Sequence, residues 1–483
     1  MKNNLPENFL SFSLGWLPAS ALERYVAAME KMPSPVSVRY NPAKAACKGM
    51  EEPDFIIKGP VKWASYGFYL EERPLFVSDP LFHGGLYYVQ DASSMFLEEA
   101  FGAIEKKLGT GSLGEMKIRV LDLCASPGGK STQLLSLLGR ESMLVANEAI
   151  GGRTSALAEN IARWGADNVV VTNNDAADFK RLGPFFDIIL VDAPCSGEGM
   201  FRKSTEAVSG WSVENVKLCA ERQKRILGDI WGALAPGGFL IYSTCTYNEL
   251  ENDANLEWLL SLGAEPVGPA DPERLYRMGV LPTPGGGLQF LPGLVEGEGQ
   301  YFAVVRKTED RASSPSEAQV RRSRRRMSDS RAIGASCKAY SEDFPEYELI
   351  LHDTFLKGYR KSMASEMLLV ASQLKTVTSG LLVAQIKGKD FIPHADLALS
   401  AFMADKLHGE NSGLPDKYFK TVDIDRKTAL KFLSREPFML ENAPSGHLML
   451  LYKGCAIGFV KNLGSRVNNL HPVARRIRNT ALV

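Results

Sequence analysis

The chain has 483 residues, 56 Lys+Arg against 56 Asp+Glu, 45% apolar and 23% charged residues. That is ordinary globular composition, long enough for several domains with their own cores, and the zero net charge excludes a histone-like or tail-dominated polycation. It leaves nucleic-acid binding open, because a local basic face can be balanced by acid elsewhere. Seven cysteines, none in a C-x-x-C pair, argue against a disulfide scaffold and a zinc ribbon. The opening MKNNLPENFLSFSLGW lacks a basic stretch followed by an apolar one. No apolar run approaches the roughly 18 residues of a membrane span. The expectation is a cytoplasmic protein with reduced thiols and no membrane partner.

Residues 1–75 are aromatic-rich and broken by Pro33, Pro35, Pro42, Pro53 and Pro60. They read as helices followed by short strands such as Ser37–Tyr40, a small α+β domain. From 76 to 307 short apolar runs alternate with helical stretches: Ile118–Leu123, Ser142–Asn147, Asn168–Thr172, Phe186–Val191, Gly238–Ser243 and Tyr301–Val305. Continuous hydrophobicity of this kind fits strands buried on both faces of a mostly parallel sheet. The stretch 308–339, with Arg321, Arg322, Arg324, Arg325 and Arg326, reads as a basic, mobile linker. Residues 340–483 regain apolar periodicity and end in strand-like runs, His447–Tyr452 and Cys455–Val460, around a Lys453–Gly454 turn.

Lys117–Ser131 reads KIRVLDLCASPGGKS: a buried strand, a diglycine loop, then a helix. Gly128 and Gly129 remove two Cβ atoms where backbone must approach something closely, and Pro127 stiffens the turn. A phosphate-binding loop would need Gly where Cys124 stands, and the dinucleotide pattern G-x-G-x-x-G is missing. A nucleoside without a pyrophosphate, such as S-adenosylmethionine, remains. Asp122 at the first strand's end, Glu148 after the second and Asp175 after the third suit such a ligand, with Glu148 reaching the ribose hydroxyls and Asp175 the adenine amino group. Each acid alone could be a polar strand end; three after successive strands point to a site.

The fourth run leads into Asp192-Ala193-Pro194-Cys195-Ser196-Gly197 and the fifth into Thr244-Cys245-Thr246. In a doubly wound sheet these strands are neighbours whose carboxyl ends open on one crevice. Two thiols some 50 residues apart would then flank the donor site. Cys219 and Cys455 read instead as small buried hydrophobes.

LDLCASPGGKS, VDAPCSGEGMFRK, YSTCTYNELEN and the lead-in YVQDASS (Tyr88–Ser94) resemble motifs of the RNA cytosine-5 methyltransferases of the Nop/Sun family, over about residues 85–305. Over the whole chain the resemblance is to the branch acting on small-subunit ribosomal RNA, and GCAIGFVKNLGSRVNNLHPVARRIR resembles its terminal RNA-binding module. The stretches Gln289-Phe-Leu-Pro-Gly and Gly299-Gln-Tyr-Phe depart from the Arg-x-x-Pro-His and Asp-Gly-Phe-Phe of many members. The resemblance implies a Rossmann-like S-adenosylmethionine-dependent methyltransferase core of α/β class, with a small α+β N-terminal domain and a β-rich PUA-like C-terminal module. It implies a monomer acting on ribosomal RNA of the small subunit. It also implies Cys245 as nucleophile and Cys195 as the group that helps remove the C5 proton or release product. Residue reasoning by itself does not rank the two thiols. The cofactor set is Cys124, Ala125, Ser126, Pro127, Gly128, Gly129, Lys130, Glu148, Arg153, Asp175 and Asp192.

Thiolate addition at C6 makes C5 nucleophilic and puts electron density on N3, so Asp192 is expected as an acid near N3 and Lys130 as a charge near O2 or the thiolate. A stacked base cannot be reached from both faces, so the target must flip out. Phe201 and Tyr247 are candidates to hold it, and Arg202 and Lys203 to grip flanking phosphates. Lys461, Arg466, Arg475, Arg476 and Arg478, interleaved with Gly464, Asn468 and Asn469, are expected to track an RNA backbone. Rival readings are a methylase of transfer RNA or another RNA, a redox enzyme using the two cysteines, and a ribosome-assembly factor that kept the fold without the chemistry.

Overall fold

The computed structural model describes residues 5–46, 49–109, 111–308, 344–388, 390–408 and 419–478. The expected basic linker lies outside the described residues. At the centre is a mixed sheet whose strands follow the apolar runs of the sequence: β1 (Arg119–Asp122), β2 (Met143–Asn147), β3 (Val169–Thr172), β4 (Phe186–Asp192), β5 (Leu234–Thr244) and β6 (Gln300–Lys307). A further strand, β7 (Thr376–Ser379), pairs with β3, giving the order β7-β3-β2-β1-β4-β5-β6 within a ten-stranded sheet whose other strands, Leu281–Pro282, Leu288–Phe290 and Ala264–Val267, lie on the β6 side. Strands β1–β5 are parallel, whereas β6 and β7 are antiparallel to β5 and β3.

Period-two alternation sends neighbouring side chains to opposite faces. Val120, Leu144, Ala146 and Ile188 pack with Phe101, Leu134 and Leu157 of the helices on one face. Leu121, Val145, Val170 and Ile189 pack with Leu227 and Ile230 of helix Val213–Trp231 on the other. Both layers are needed, so the strands read as unbroken apolar runs.

The N-terminal domain has helices first, then an antiparallel sheet ordered Ile57–Pro60, Gly67–Leu70, Ser37–Tyr40, Tyr87–Val89. Its last strand lies beyond the boundary expected at residue 75. Three residues are too few to stand out from the aromatic-rich sequence around them. The C-terminal region also differs from a self-contained block. Its helix Ala364–Gln373 places Met367 and Leu368 in the core of the central sheet, and β7 extends that sheet's edge. The short polar run Thr376-Val-Thr-Ser carries no strand signal of its own; an exposed edge of β3 supplies the pairing.

The final sheet joins Lys420–Asp423, Gly446–Tyr452, Cys455–Asn462 and Val467–Asn469. Lys453 (φ 49°) and Gly454 (φ 77°) form its tight hairpin turn, since both positions need left-handed backbone. This module shares one apolar core with the N-terminal domain: Val38, Tyr40, Leu86 and Tyr87 meet Leu430, Phe432, Leu448 and Ile457. Among the described residues no helix is long and apolar enough to cross a membrane.

Phe432 is fully buried in that shared core. Phe432→Ala is expected to cost about 3–5 kcal/mol, read as a lowered urea midpoint. A shift near zero would mean that the two modules do not stabilise one another.

Candidate active site

Strands β4 and β5 are in register with Asp192 opposite Ser243, so the loops that follow leave the sheet side by side. Their thiols meet: Cys195 Sγ lies 3.1 Å from Cys245 Sγ. Gly199 N–H donates to the Cys245 carbonyl at 2.7 Å, and a Cβ on Gly199 would sit 2.9 Å from that oxygen and 2.7 Å from the Gly299 carbonyl. Any side chain there would wedge the loops apart.

Two buried carboxylates staple the same loops. Glu198 accepts from Ser13 Oγ, Trp211 Nε1, Asn248 Nδ2 and the amides of Tyr247 and Asn248 at 2.7–3.2 Å. Glu251 accepts from the Ser196 amide at 3.0 Å, Gln223 Nε2 at 2.7 Å and Asn248 Nδ2 at 2.8 Å. Neither acid stands out in sequence, because SGEGM and YNELEN read as ordinary polar turns. The hydrogen bond to Cys245, together with burial, holds the Cys195 thiol well above its usual pKa.

Beside the sulfurs, Lys130 Nζ pairs with Asp192 Oδ2 at 2.9 Å, and Ser243 Oγ donates to Asp192 Oδ1 at 2.7 Å. Burial opposes the Lys130 charge, but Asp192 outweighs it and the ammonium is held above its ordinary range. Lys130 follows the diglycine loop. Gly128 has φ 117°, a region open to glycine, and the Gly129 backbone is tight enough that a Cβ would touch the Tyr88 ring at 3.4 Å. The loop is pinned by Ala125 N–H to the Asn147 carbonyl (2.8 Å), Arg153 Nη2 to the Ser126 carbonyl (2.8 Å) and Asn160 Nδ2 to the Pro127 carbonyl (2.7 Å). Arg153 also faces Glu148 at 3.6 Å, whose other oxygen accepts from the Ile150 amide. Burial pushes the Cys124 thiol upward, so it stays neutral.

Asp122 is fully buried; Ser131 Oγ satisfies one of its oxygens at 2.6 Å and Oδ1 has no partner. A cationic donor fits this setting: a buried carboxylate with one oxygen unpartnered, a diglycine loop whose Gly128 takes a backbone conformation that side chains rarely adopt, and Glu148 at the neighbouring strand end. Asp175 is placed differently from the rest. Its half-exposed carboxylate caps the Ala176–Leu182 turn through the Ala177 amide and pairs with Arg225 at 3.2 Å. The cap and Arg225 hold it below the usual carboxylate range.

Several expected RNA contacts are corrected by the structure. The Arg202 side chain is 5% exposed and forms a buried pair with Glu298 at 2.8 Å while donating to the Gly297 carbonyl. It braces the Gly297–Gly299 loop under Gly199 and is not available to a phosphate. Lys203 is partly exposed but paired with Asp91 at 3.2 Å. Phe201 and Tyr247 are core residues, packed with Phe9 and Tyr25, not base clamps. Arg475 is mostly buried in a 2.6 Å pair with Asp396, and Lys461 is half-buried. Arg466, Arg476 and Arg478 are exposed. Cys219 and Cys455 are buried apart from the pair, as expected.

Burial lifts the Asp122 carboxyl from 3.8 to about 7. The folded chain thus keeps that proton over a range in which the unfolded chain has released it. The group's contribution to stability therefore falls as pH rises from about 4 to about 7, and is level above. Asp122→Asn is expected to flatten that slope, seen as a melting temperature that gains on wild type between pH 5 and 8 in ligand-free protein. A variant with the wild-type slope would refute the assignment.

Family models match the chain in three successive stretches: 16S rRNA methyltransferase RsmB/F over residues 114–306, the N-terminal domain of 16S rRNA methyltransferase RsmF over 5–92, and the methyltransferase RsmF PUA domain over 419–477. A protein of Serratia proteamaculans named ribosomal RNA small subunit methyltransferase F is 35% identical over 317 residues, 63% of each chain. The match thus spans somewhat under two thirds of that relative's length. One of the same name from Shewanella sp. (strain MR-4) is 28% identical over 97% of this chain and 96% of its own. The crystal structure of a methyltransferase homolog protein from Pyrococcus horikoshii superposes with a TM-score of 0.51 at 28% identity, covering 63% of this chain and 96% of that one. With its N-terminal, catalytic and C-terminal parts matched in order, the chain belongs to the RsmB/F family of methyltransferases.

Proposed function

We propose that the chain methylates C5 of a cytosine in small-subunit ribosomal RNA, using S-adenosylmethionine and a transient bond between Cys245 and C6. The observation that carries this reading is the 3.1 Å meeting of two thiols beside the Lys130–Asp192 pair. A lone buried thiol needs no such arrangement. A methylase that bonds to its base needs one sulfur to attack and a second group to handle the proton.

Cytosine C5 becomes nucleophilic only once the ring's conjugation is broken. In this reading Cys245, as thiolate, forms an Sγ–C6 bond and the C5–C6 π pair shifts into the ring toward N3 and O2. Asp192 already accepts from Lys130 and Ser243, so the acid needed at N3 is shared between Asp192 and Lys130, not carried by a lone carboxyl. When bound, the donor supplies an electrophilic methyl on a sulfonium. The 124–130 loop, Glu148 and Arg153 would hold it, with Asp122 beneath. After transfer, Cys195 as thiolate takes the C5 proton, the C5–H pair re-forms C5=C6, and the Cys245–C6 bond breaks with Cys245 leaving as thiolate. Cys195, whose Sγ lies 3.1 Å from Cys245 Sγ, is thereby the group that resolves the adduct.

Transfer of labelled methyl to 16S ribosomal RNA and to small subunits tests the reading. Cys245→Ser is expected to reduce transfer to background, and Cys195→Ser to accumulate a protein–RNA adduct that survives denaturation. Transfer by Cys245→Ser at the wild-type rate would sink the proposal. Asp192→Asn is expected to lower kcat by about a hundredfold or more; a rate near wild type would remove Asp192 from the chemistry.

A further inference from the structure

Cys124, Glu148 and Asp175, which follow the ends of β1, β2 and β3, each come directly after a residue engaged in one chain of amide hydrogen bonds. Asn147, at the end of β2, donates through Nδ2 to the carbonyls of Leu123 (3.1 Å) and Asn174 (3.0 Å). Its Oδ1 accepts from the Asn174 amide (3.0 Å) and Thr172 Oγ1 (2.8 Å). One side-chain amide thus clasps both backbone groups of Asn174 while holding the end of β1. Asn174 repeats the device one step outward. Its Oδ1 accepts from the Lys375 amide at 3.0 Å and its Nδ2 donates to the Lys375 carbonyl at 3.1 Å. Lys375 immediately precedes β7. Asn173 adds a parallel link, donating to the Glu148 and Ala149 carbonyls (2.8 and 3.1 Å) and accepting from Lys375 Nζ (2.7 Å).

Parallel strands are spaced by their ladder, but the loops beyond the last ladder bond are free to splay. Asn147 and Asn174 are both under 7% exposed and spend their side chains closing that gap, where water is largely excluded. We propose that Asn147 and Asn174 are positioning residues that set the spacing of the loops after β1, β2 and β3, the first two of which carry the donor site, and that through Asn174 the C-terminal region forms part of the donor pocket's frame. This rests on the donor site assigned under the proposed function.

Asn174→Asp keeps the shape and the acceptor for the Lys375 amide but sets a carboxylate oxygen against the Lys375 carbonyl. Asn173→Ala cuts the parallel link at a less buried position and serves if the first variant does not fold. S-adenosylhomocysteine is the calorimetric probe on the full chain without RNA, with folding checked by circular dichroism. The expected result is a Kd about tenfold weaker for Asn174→Asp and a smaller weakening for Asn173→Ala. In methyl transfer, KM for the donor should rise while kcat at saturating donor and KM for RNA stay within about twofold; a purely structural role would lower stability without moving the donor KM. Folded variants that bind the probe as tightly as wild type would overturn this inference alone. Wild-type protein that binds none would overturn the proposed function and this inference with it.

Discussion

The site depends on the parallel pairing of β4 with β5. A register that sets Asp192 against Ser243 brings two loops out of the sheet at the same height, and the thiols three residues past one partner and two past the other come into contact. A slip of one residue would turn every side chain of one strand to the opposite face. The register is held because both faces are packed: Ile188 and Leu190 face one core while Ile189 and Val191 face the other.

Beyond the last ladder bond, polar groups take over from the sheet. A buried carboxylate is costly unless its oxygens are satisfied. Glu198, on the Cys195 loop, meets that cost with donors from the Cys245 loop, from Trp211 and from Ser13 of the N-terminal helix, and Glu251, six residues after Cys245, accepts from the Ser196 amide and from Gln223. Truncating either would leave several donors without an acceptor at once. The thiol loops are thus held by hydrogen bonds to buried carboxylates, while the sulfurs meet each other at 3.1 Å.

The flanking domains take part in this arrangement. From the N-terminal sheet, the fully buried Arg39 guanidinium lies over the Trp164 ring at 4.5 Å and donates to Thr132 Oγ1 and the Gly129 carbonyl, with Gln90 Oε1 as a further acceptor. Asn41 and Lys44 cap the last carbonyls of helix Thr154–Trp164. From the other end of the chain, Arg360 forms a largely buried pair with Asp167 at 2.8 Å, just before β3. The catalytic sheet is clasped from both sides by segments that read in sequence as separate modules.

The sheet strands, the diglycine loop and the pair of cysteines were legible because each is local: an apolar run must be buried, two adjacent glycines mark a close approach, and a thiol directly after a buried strand lies at a sheet's carboxyl end. Arg202, Phe201 and Tyr247 were read as RNA contacts because a basic pair and two aromatics beside a catalytic motif look the same whether they face solvent or core. Burial of the Arg202 charge is set by Glu298, nearly a hundred residues away. Edge strand β7, the Glu198 staple and the asparagine clasps likewise join residues from 25 to about 200 positions apart. Local periodicity and motif spacing determined the fold class and the chemistry-bearing loops. Which polar side chains are buried, paired or exposed was decided only by the folded chain, since a hydrogen bond or ion pair depends on partners that no window of sequence contains.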